Sequence, residues 1–168
     1  AIDAAVAAAV AVTVVEPMMS GIGGGGAMVV HDAATGRDVA IDFLPRVPGA
    51  ATPDMYELDR DRADVGMYEL PAVVVDVNFV GHRSVGVPGT IAGLCLAHAR
   101  WGKLSLGAVF EPAIEYAHGH VVEGYISAMT AGMARRLREY PEAASIFLPD
   151  GLPPAAPLRV YMPVEPFR

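Results

Sequence analysis

The residues of this chain whose types and spacing could bind a nucleotide are the glycines of the stretch SGIGGGGAMVVH. Gly21, Gly23 and Gly26 fit the pattern G-x-G-x-x-G, in which backbone amides and the start of a helix hold a pyrophosphate. That pattern carries weight only when a strand precedes the glycines and a helix follows them. Here the order is reversed, and no Lys-Ser or Lys-Thr pair follows the glycines. We therefore expect no bound nucleotide.

The glycine run, which we define as Gly23, Gly24, Gly25 and Gly26, has a structural interpretation instead. Glycine has no Cβ atom, so it can adopt positive φ and it lets two backbones approach closely. We expect the run to serve these purposes where a buried helix meets a sheet.

Histidines and carboxylates offer no complete metal or acid–base site. His118 and His120 lie at a predicted helix end, which favours histidine through the helix dipole, and no cysteine or carboxylate completes a ligand set. Glu111 and Glu115 are four residues apart, a spacing typical of a solvated helix face. The single cysteine, Cys95, is expected to be a small buried hydrophobic residue. The sequence also lacks the G-x-S-x-G motif of serine hydrolases, so motifs alone predict neither a bound metal nor a complete active site.

Hydrophobic patterning predicts the elements that would position these residues. Residues 1–15 are rich in alanine and valine and predict a helix. Two short strands around a turn at Asp32–Gly36 are expected to follow the glycine run. An irregular, proline-containing stretch begins at Leu44, and Pro71–Gly81 predicts a further strand.

Three helices are predicted in the second half of the chain. Thr90 is expected to cap a helix that Gly102 ends. Ser105 is expected to cap the next helix, in which Pro112 implies a kink or a late start. The third helix is predicted over about Glu123–Glu139. Separated strands and helices favour an α+β layered fold over a doubly wound parallel sheet.

The composition of the 168 residues limits the classes of partner. The chain is 53% apolar with a mean hydropathy of +0.37, which is high for an independent small domain, so we expect a piece of a larger protein. A net charge of −7 with 12 Lys and Arg and no basic cluster disfavours nucleic acid. The first helix is too short to span a membrane. This helix lacks the basic region of a signal peptide, and no capping residue precedes it. We therefore expect that upstream residues, any export signal among them, have been removed, and the compartment stays open.

Several stretches of the chain match one family in order. They are AIDAAVAAAVAVTVVEP, SGIGGGGAMVVHD, AIDF, SVGVPGTIAGLCLAHARWGKL, FEPAIEYAHGH and SIFLPDGLP. Together they resemble the N-terminal part of the large subunit of γ-glutamyltransferases (γ-glutamyltranspeptidases) and related acylases, the cephalosporin-acylase-like branch included. The resemblance implies the α+β fold of N-terminal nucleophile hydrolases, a four-layer αββα sandwich. Residues 1–168 would form a single region and an incomplete part of it.

The resemblance also implies a mechanism. In this family a precursor cleaves itself, and the small subunit then begins with a threonine that attacks an acyl carbonyl, its own α-amine acting as base. The acyl group passes to water or to an amine, and no cofactor is needed. None of the threonines of this chain matches the cleavage motif, so we expect no catalytic residue on it. The implied partners are the small subunit and a small-molecule γ-glutamyl or dicarboxylic acyl amide. Periplasmic or secreted and cytoplasmic locations both remain open. The threonines of this chain that do not match the cleavage motif are Thr13, Thr35, Thr52, Thr90 and Thr130.

One position departs from the family pattern. In γ-glutamyl enzymes an arginine follows the Asp-Phe pair and clamps the donor's α-carboxylate, whereas here Asp42-Phe43 is followed by Leu44. Arg46 lies two residues on, where an extended backbone would point it to the same side. We weigh two interpretations of Arg46 equally: it binds the carboxylate of a glutaryl or other dicarboxylic acyl group, or it is an ordinary surface arginine.

Three readings of the longer protein therefore stay open. It is a γ-glutamyltransferase-like enzyme, a glutaryl-type acylase with altered acyl specificity, or a structural or binding homologue without catalysis. A threonine at the start of a downstream small subunit would separate the enzymes from the homologue.

Overall fold

The computed structural model describes residues 1–65 and 69–154 and the backbone of residues 158–160. The helices are α1 (Ile2–Val15), α2 (Thr90–Trp101), α3 (Leu106–Ala117), α4 (Gly124–Leu137) and α5 (Pro141–Phe147). The strands are β1 (Ala27–Asp32), β2 (Arg37–Asp42), β3 (His120–Val122) and β4 (Leu158–Val160). Short 3-10 turns lie at Val74–Asp76, His82–Ser84 and Pro149–Gly151. This separation of helices from antiparallel strand pairs is the expected α+β class.

The core forms where α1 packs against α2 and α3, and β2 packs against α2. Alanine and valine place small apolar side chains on every face of α1, but only one face is covered in the described chain. Val6 and Val10 are buried there, whereas Val12 is 42% exposed. The buried cluster consists of Val6, Val10, Ile41, Leu94, Ala97, Val109 and Ala113.

Strands β1 and β2 form an antiparallel hairpin in register from Ala27↔Asp42 to Asp32↔Arg37. The Asp32 carboxylate accepts hydrogen bonds from the Thr35 hydroxyl, at 2.9 Å, and from the Ala34 amide, at 3.1 Å. The bond from Thr35 in particular lowers the pKa of Asp32. These bonds build the predicted turn, and Gly36 closes it at a φ of +64°.

The strand predicted over Pro71–Gly81 is wrong. Val73 makes only an isolated bridge to Leu58, and a 3-10 turn follows in which Val75 and Asp76 adopt φ values of 49° and 56°. Tertiary contacts favour this turn over a strand, because the Asp76 carboxylate is held by Arg62, at 3.1 Å, and by Arg136 of α4, at 2.6 Å.

The three later helices begin close to where the sequence places them, with one difference in capping. The residue before α2 is Gly89, and Thr90 is the first residue of the helix, so its predicted capping role is wrong. The Ser105 cap is confirmed, because its hydroxyl accepts a hydrogen bond from the Ala108 amide at 3.2 Å. Helix α3 starts at once despite Pro112, which rules out a late start, and α4 lies within the predicted Glu123–Glu139.

The N-terminus of α1 is tied to the α2–α3 loop. The Asp3 carboxylate accepts hydrogen bonds from the Lys103 amide at 3.0 and 3.1 Å, and His98 Nε2 lies 3.4 Å from it. The Lys103 bond is the main reason that the pKa of Asp3 is lowered. No helix in the part of the chain that the structure describes is long and apolar enough to cross a membrane.

The Asp76 ion pairs predict a pH-dependent contribution to stability. The hydrogen bond from Arg62, followed by the charges of Arg62 and Arg136, lowers the folded-state pKa of Asp76 below its ordinary value of 3.8. The carboxylate therefore stabilises the fold at pH values above 3.8, and this contribution is lost as the pH falls through the folded-state pKa. We expect Asp76→Asn in the full-length protein to lower Tm at pH 7, with the two Tm curves converging below pH 3.8. Thermal melts from pH 7 to 3 measure this.

The matched control is Asp54→Asn, because Asp54 is exposed and makes no ion pair with the described residues. A Tm difference for Asp76→Asn that stays constant down to pH 3 would show that the ion pairs do not stabilise the fold.

Candidate functional site

The glycine run joins α1 to β1 and docks on the first turn of α2. The Gly24 carbonyl accepts hydrogen bonds from the amides of Gly89, at 2.9 Å, and Thr90, at 3.2 Å. The Thr90 hydroxyl donates to the Gly21 carbonyl at 3.3 Å. Carbonyl oxygens of this segment thus meet the first amides of α2, an arrangement that serves chain packing and not the binding of a phosphate.

Close approach of backbones occurs at Gly25 and not at Gly23. A Cβ atom built on Gly25 would lie 2.4 Å from the Phe43 carbonyl oxygen, and one on Gly26 would lie 3.1 Å from the Phe43 ring. A Cβ on Gly24 would lie 3.3 Å from the Gly21 carbonyl, whereas one on Gly23 would have no neighbour within 4 Å. Positive φ was also expected of the run, and this part is wrong: none of the four glycines has it.

The segment after β2 carries the two residues that the sequence singles out for acyl binding. The Asp42 carboxylate accepts a hydrogen bond from the Leu44 amide at 3.0 Å, and the Leu44 side chain is 61% exposed. Arg46 pairs with Val87 through two backbone hydrogen bonds of 3.1 and 2.8 Å. The Arg46 side chain is exposed and makes no ion pair with any residue that the structure describes.

Arg46 lines a groove of about 640 Å³, which we call the arginine groove. Residues 45–48, 55–56 and 83–86 form it together with Gly23. Leu44 is not among the residues that line it. The groove volume falls within the range of about 300–1,000 Å³ that is usual for small-molecule sites.

Two residues of the arginine groove were missed by the sequence reasoning. The Tyr56 hydroxyl donates a hydrogen bond to the Arg83 carbonyl at 2.6 Å, and the Arg83 guanidinium lies 5.6 Å from the centre of the Tyr56 ring. Arg83 also donates to the Met55 carbonyl. Tyr56 and Arg83 are 27 positions apart in irregular segments, so no periodic pattern in the sequence predicts their contact. The only local signal is a cation, Arg83, just before the VGVPGT motif.

The other candidate groups do not assemble a site within the described residues. His118 ends α3, and His120 in β3 contacts the Tyr116 carbonyl at 3.3 Å. Glu111 and Glu115 are both exposed. No cluster of three or more histidine, cysteine, aspartate or glutamate residues capable of holding a metal occurs in residues 1–65 and 69–154.

Three threonines have their hydroxyls committed to backbone carbonyls. Thr13 donates to Val10, Thr90 donates to Gly21, and Thr130 donates to Ile126. A hydroxyl that is bonded inside its own helix or across a packing contact, with no base beside it, is not an activated nucleophile.

Comparison with known proteins gives one consistent match. The family model described as Gamma-glutamyltranspeptidase matches residues 1–163. The chain is 45% identical over 154 residues to the acylase ACY 1 proenzyme of Pseudomonas sp. (strain V22), covering 91% of this chain and 27% of that protein. It is 38% identical over 154 residues to the glutathione hydrolase proenzyme of Bacillus subtilis (strain 168), covering 91% of this chain and 24% of that protein.

Solved structures agree with the sequence relatives. The fold is similar to that of the gamma-glutamyltranspeptidase of Helicobacter pylori, with a TM-score of 0.82 and 31% identity over 96% of this chain and 44% of that chain. The chain thus spans about a quarter of the length of the curated relatives that it matches.

The packing at Gly25 predicts an asymmetric response to alanine within the glycine run. Gly25→Ala places a methyl group inside the contact distance of the Phe43 carbonyl and of Pro45, so we expect it to destabilise the full-length protein by about 1–3 kcal/mol. Gly23→Ala is the matched control, because its methyl group meets open space, and it should stay within about 0.5 kcal/mol of the parent. Denaturant unfolding of both variants measures the difference. Equal effects of the two substitutions would contradict the packing role.

Proposed function

Because the chain belongs to the gamma-glutamyltranspeptidase family, we propose that it forms part of the large subunit of an amide hydrolase or acyltransferase. The observation that carries this proposal is the match of the family model over residues 1–163. The identities of 45% and 38% to an acylase proenzyme and a glutathione hydrolase proenzyme support it.

The proposed reaction takes place at a threonine outside this chain. The hydroxyl of a threonine at the start of a small subunit attacks the acyl carbonyl, and its α-amine takes up the proton. The acyl-enzyme then passes its acyl group to water or to an amine. The committed hydroxyls of Thr13, Thr90 and Thr130 support a nucleophile located elsewhere. This chain contributes scaffold and one wall of the acyl site, with β1 and β2 as strands of an αββα sandwich.

Leu44 favours an acylase over a γ-glutamyl enzyme. The family resemblance puts at position 44 the arginine that clamps the α-carboxylate of a γ-glutamyl donor, and a leucine side chain cannot bind a carboxylate. The acylase relative is also more similar to this chain than the glutathione hydrolase relative is. Arg46, exposed in the arginine groove without an acidic partner among the described residues, is the cation available for a glutaryl or other dicarboxylic acyl group.

The experiment that tests this function begins with the mature, full-length protein. Intact-mass analysis and N-terminal sequencing are expected to find a second polypeptide that begins with threonine. The same preparation is expected to release 4-nitroaniline from glutaryl-4-nitroanilide. A single uncleaved polypeptide that turns over neither glutaryl nor γ-glutamyl donors would identify a non-catalytic homologue and overturn the proposal.

The departure at position 44 predicts a specificity change. Leu44→Arg restores the guanidinium that the family uses, so the ratio of kcat/KM for γ-glutamyl-4-nitroanilide to that for glutaryl-4-nitroanilide should rise about tenfold. Steady-state kinetics with both donors measures the ratio. Leu44→Met, which keeps an apolar side chain, is the control and should leave the ratio unchanged. An unchanged ratio in Leu44→Arg as well would remove position 44 from the specificity argument.

A further inference from the structure

The segment of residues 43–46 leads from the end of β2 to the backbone pairing of Arg46 with Val87, and its backbone is anchored at both ends. The Phe43 amide donates a hydrogen bond to the Gly26 carbonyl at 2.9 Å. The Arg46 amide donates to the Val87 carbonyl at 3.1 Å. The direction of the chain between these two anchors depends on what holds the middle of the segment.

The Asp42 side chain holds the middle of the 43–46 segment. Its carboxylate accepts a hydrogen bond from the Leu44 amide at 3.0 Å, and a bond from an aspartate to the backbone two residues later fixes a turn. Leu44 is followed by Pro45, which has no N–H and restricts the residue before it to extended conformations. The Asp42 bond and Pro45 together leave the Leu44 backbone few alternatives to its observed direction.

The Asp42 carboxylate makes no other hydrogen bond and no ion pair with the residues that the structure describes. The side chain is exposed, and the residue opposite it in the hairpin is Ala27, which has no polar side-chain group. Burial and charge pairing within the described chain therefore give no reason for an aspartate at this position, whereas the turn at Leu44 does.

We infer that Asp42 is a positioning residue for the acyl site, because its carboxylate sets the direction in which the side chain at position 44 faces the acyl group. This inference rests on the proposed function, in which the segment after β2 belongs to one wall of that site. Asp42 does not contact the donor and acts through the Leu44 amide. A displacement of about 1 Å in a group that positions a substrate can cost about a hundredfold in rate, so the turn bears directly on substrate use.

Steady-state kinetics of the full-length enzyme with glutaryl-4-nitroanilide tests this assignment. Asp42→Ala removes the acceptor, so we expect KM to rise about tenfold while kcat changes by less than about threefold. Asp42→Asn keeps an oxygen that can accept the Leu44 N–H, so its KM should stay within about twofold of the parent value. A rise in KM for Asp42→Asn as large as that for Asp42→Ala would assign the effect to the charge and overturn the inference.

The matched control for a purely structural effect is Asp32→Ala. The Asp32 carboxylate accepts a bond of the same kind, from the Ala34 amide two residues later at 3.1 Å, at the opposite end of the same hairpin. A loss of folded protein lowers the measured kcat but leaves KM unchanged, because the molecules that stay folded bind the donor normally. Equal rises in KM for Asp32→Ala and Asp42→Ala would leave Asp42 with a structural role only.

A double substitution tests whether Asp42 acts through position 44. The rise of about tenfold in the γ-glutamyl to glutaryl ratio that we expect of Leu44→Arg requires a guanidinium directed at the donor. The rise should therefore fall below about threefold when Asp42→Ala is also present and persist when Asp42→Asn is present. The full rise in the presence of Asp42→Ala would contradict the positioning role.

Hydrogen exchange separates this inference from the proposed function. In the full-length protein the Leu44 amide should exchange about tenfold faster in Asp42→Ala than in the parent and at the parental rate in Asp42→Asn, as measured by mass spectrometry of peptides that contain residues 43–46. This result in a protein that turns over no acyl donor would support the turn set by Asp42 and refute the proposed function. Turnover of the donor, with Leu44 exchange and KM both unchanged in Asp42→Ala, would do the reverse.

Discussion

The arrangement of the site depends on the close packing of glycines around Phe43. A Cβ atom would lie 2.1 Å from the Phe43 carbonyl if built on Gly89 and 2.2 Å from the Phe43 ring if built on Gly93. A Cβ atom built on Gly25 would lie 2.4 Å from the same carbonyl. Only residues without a side chain let the end of β2, the glycine run and the start of α2 converge on one phenylalanine. The direction in which the chain leaves Phe43 towards Leu44 and Arg46 is fixed there.

The sequence correctly predicted the elements that are formed by residues close together in the chain. The Asp32 turn, the Ser105 cap and the apolar helix α1 all depend on residues within a few positions of one another, and all three form. The errors arise where the local structure depends on a residue that is distant in the sequence. Arg136 lies 60 positions from Asp76 and helps to hold the turn that replaces the predicted strand. Gly21, 69 positions away, takes the hydroxyl that Thr90 was expected to use as a cap.

The site was predictable to a similar extent. Arg46 was proposed because the family pattern fixes position 44, two residues before it, while the contact between Tyr56 and Arg83 joins two distant segments without a periodic pattern that would predict it. The uncovered apolar surface has a related explanation. Val29 in β1 is 75% exposed and Val12 in α1 is 42% exposed, although the sequences of both elements are largely apolar. Exposed apolar surface of this kind is typical of a face that packs against further protein.

The chemistry of the two candidate acyl groups bears on which of them a groove with two cations favours. A glutaryl and a γ-glutamyl group have equally long carbon chains and both end in a carboxylate; they differ by one ammonium group at the carbon that bears it. A cation alone therefore cannot prefer glutaryl through chain length. An ammonium group is best paired with a carboxylate, and the described lining of the arginine groove offers none, whereas its two guanidinium groups repel a cation. Under the proposed function, in which Arg46 binds the acyl carboxylate, repulsion by these guanidinium groups is a second reason, beside the leucine at position 44, to expect weak use of γ-glutamyl donors.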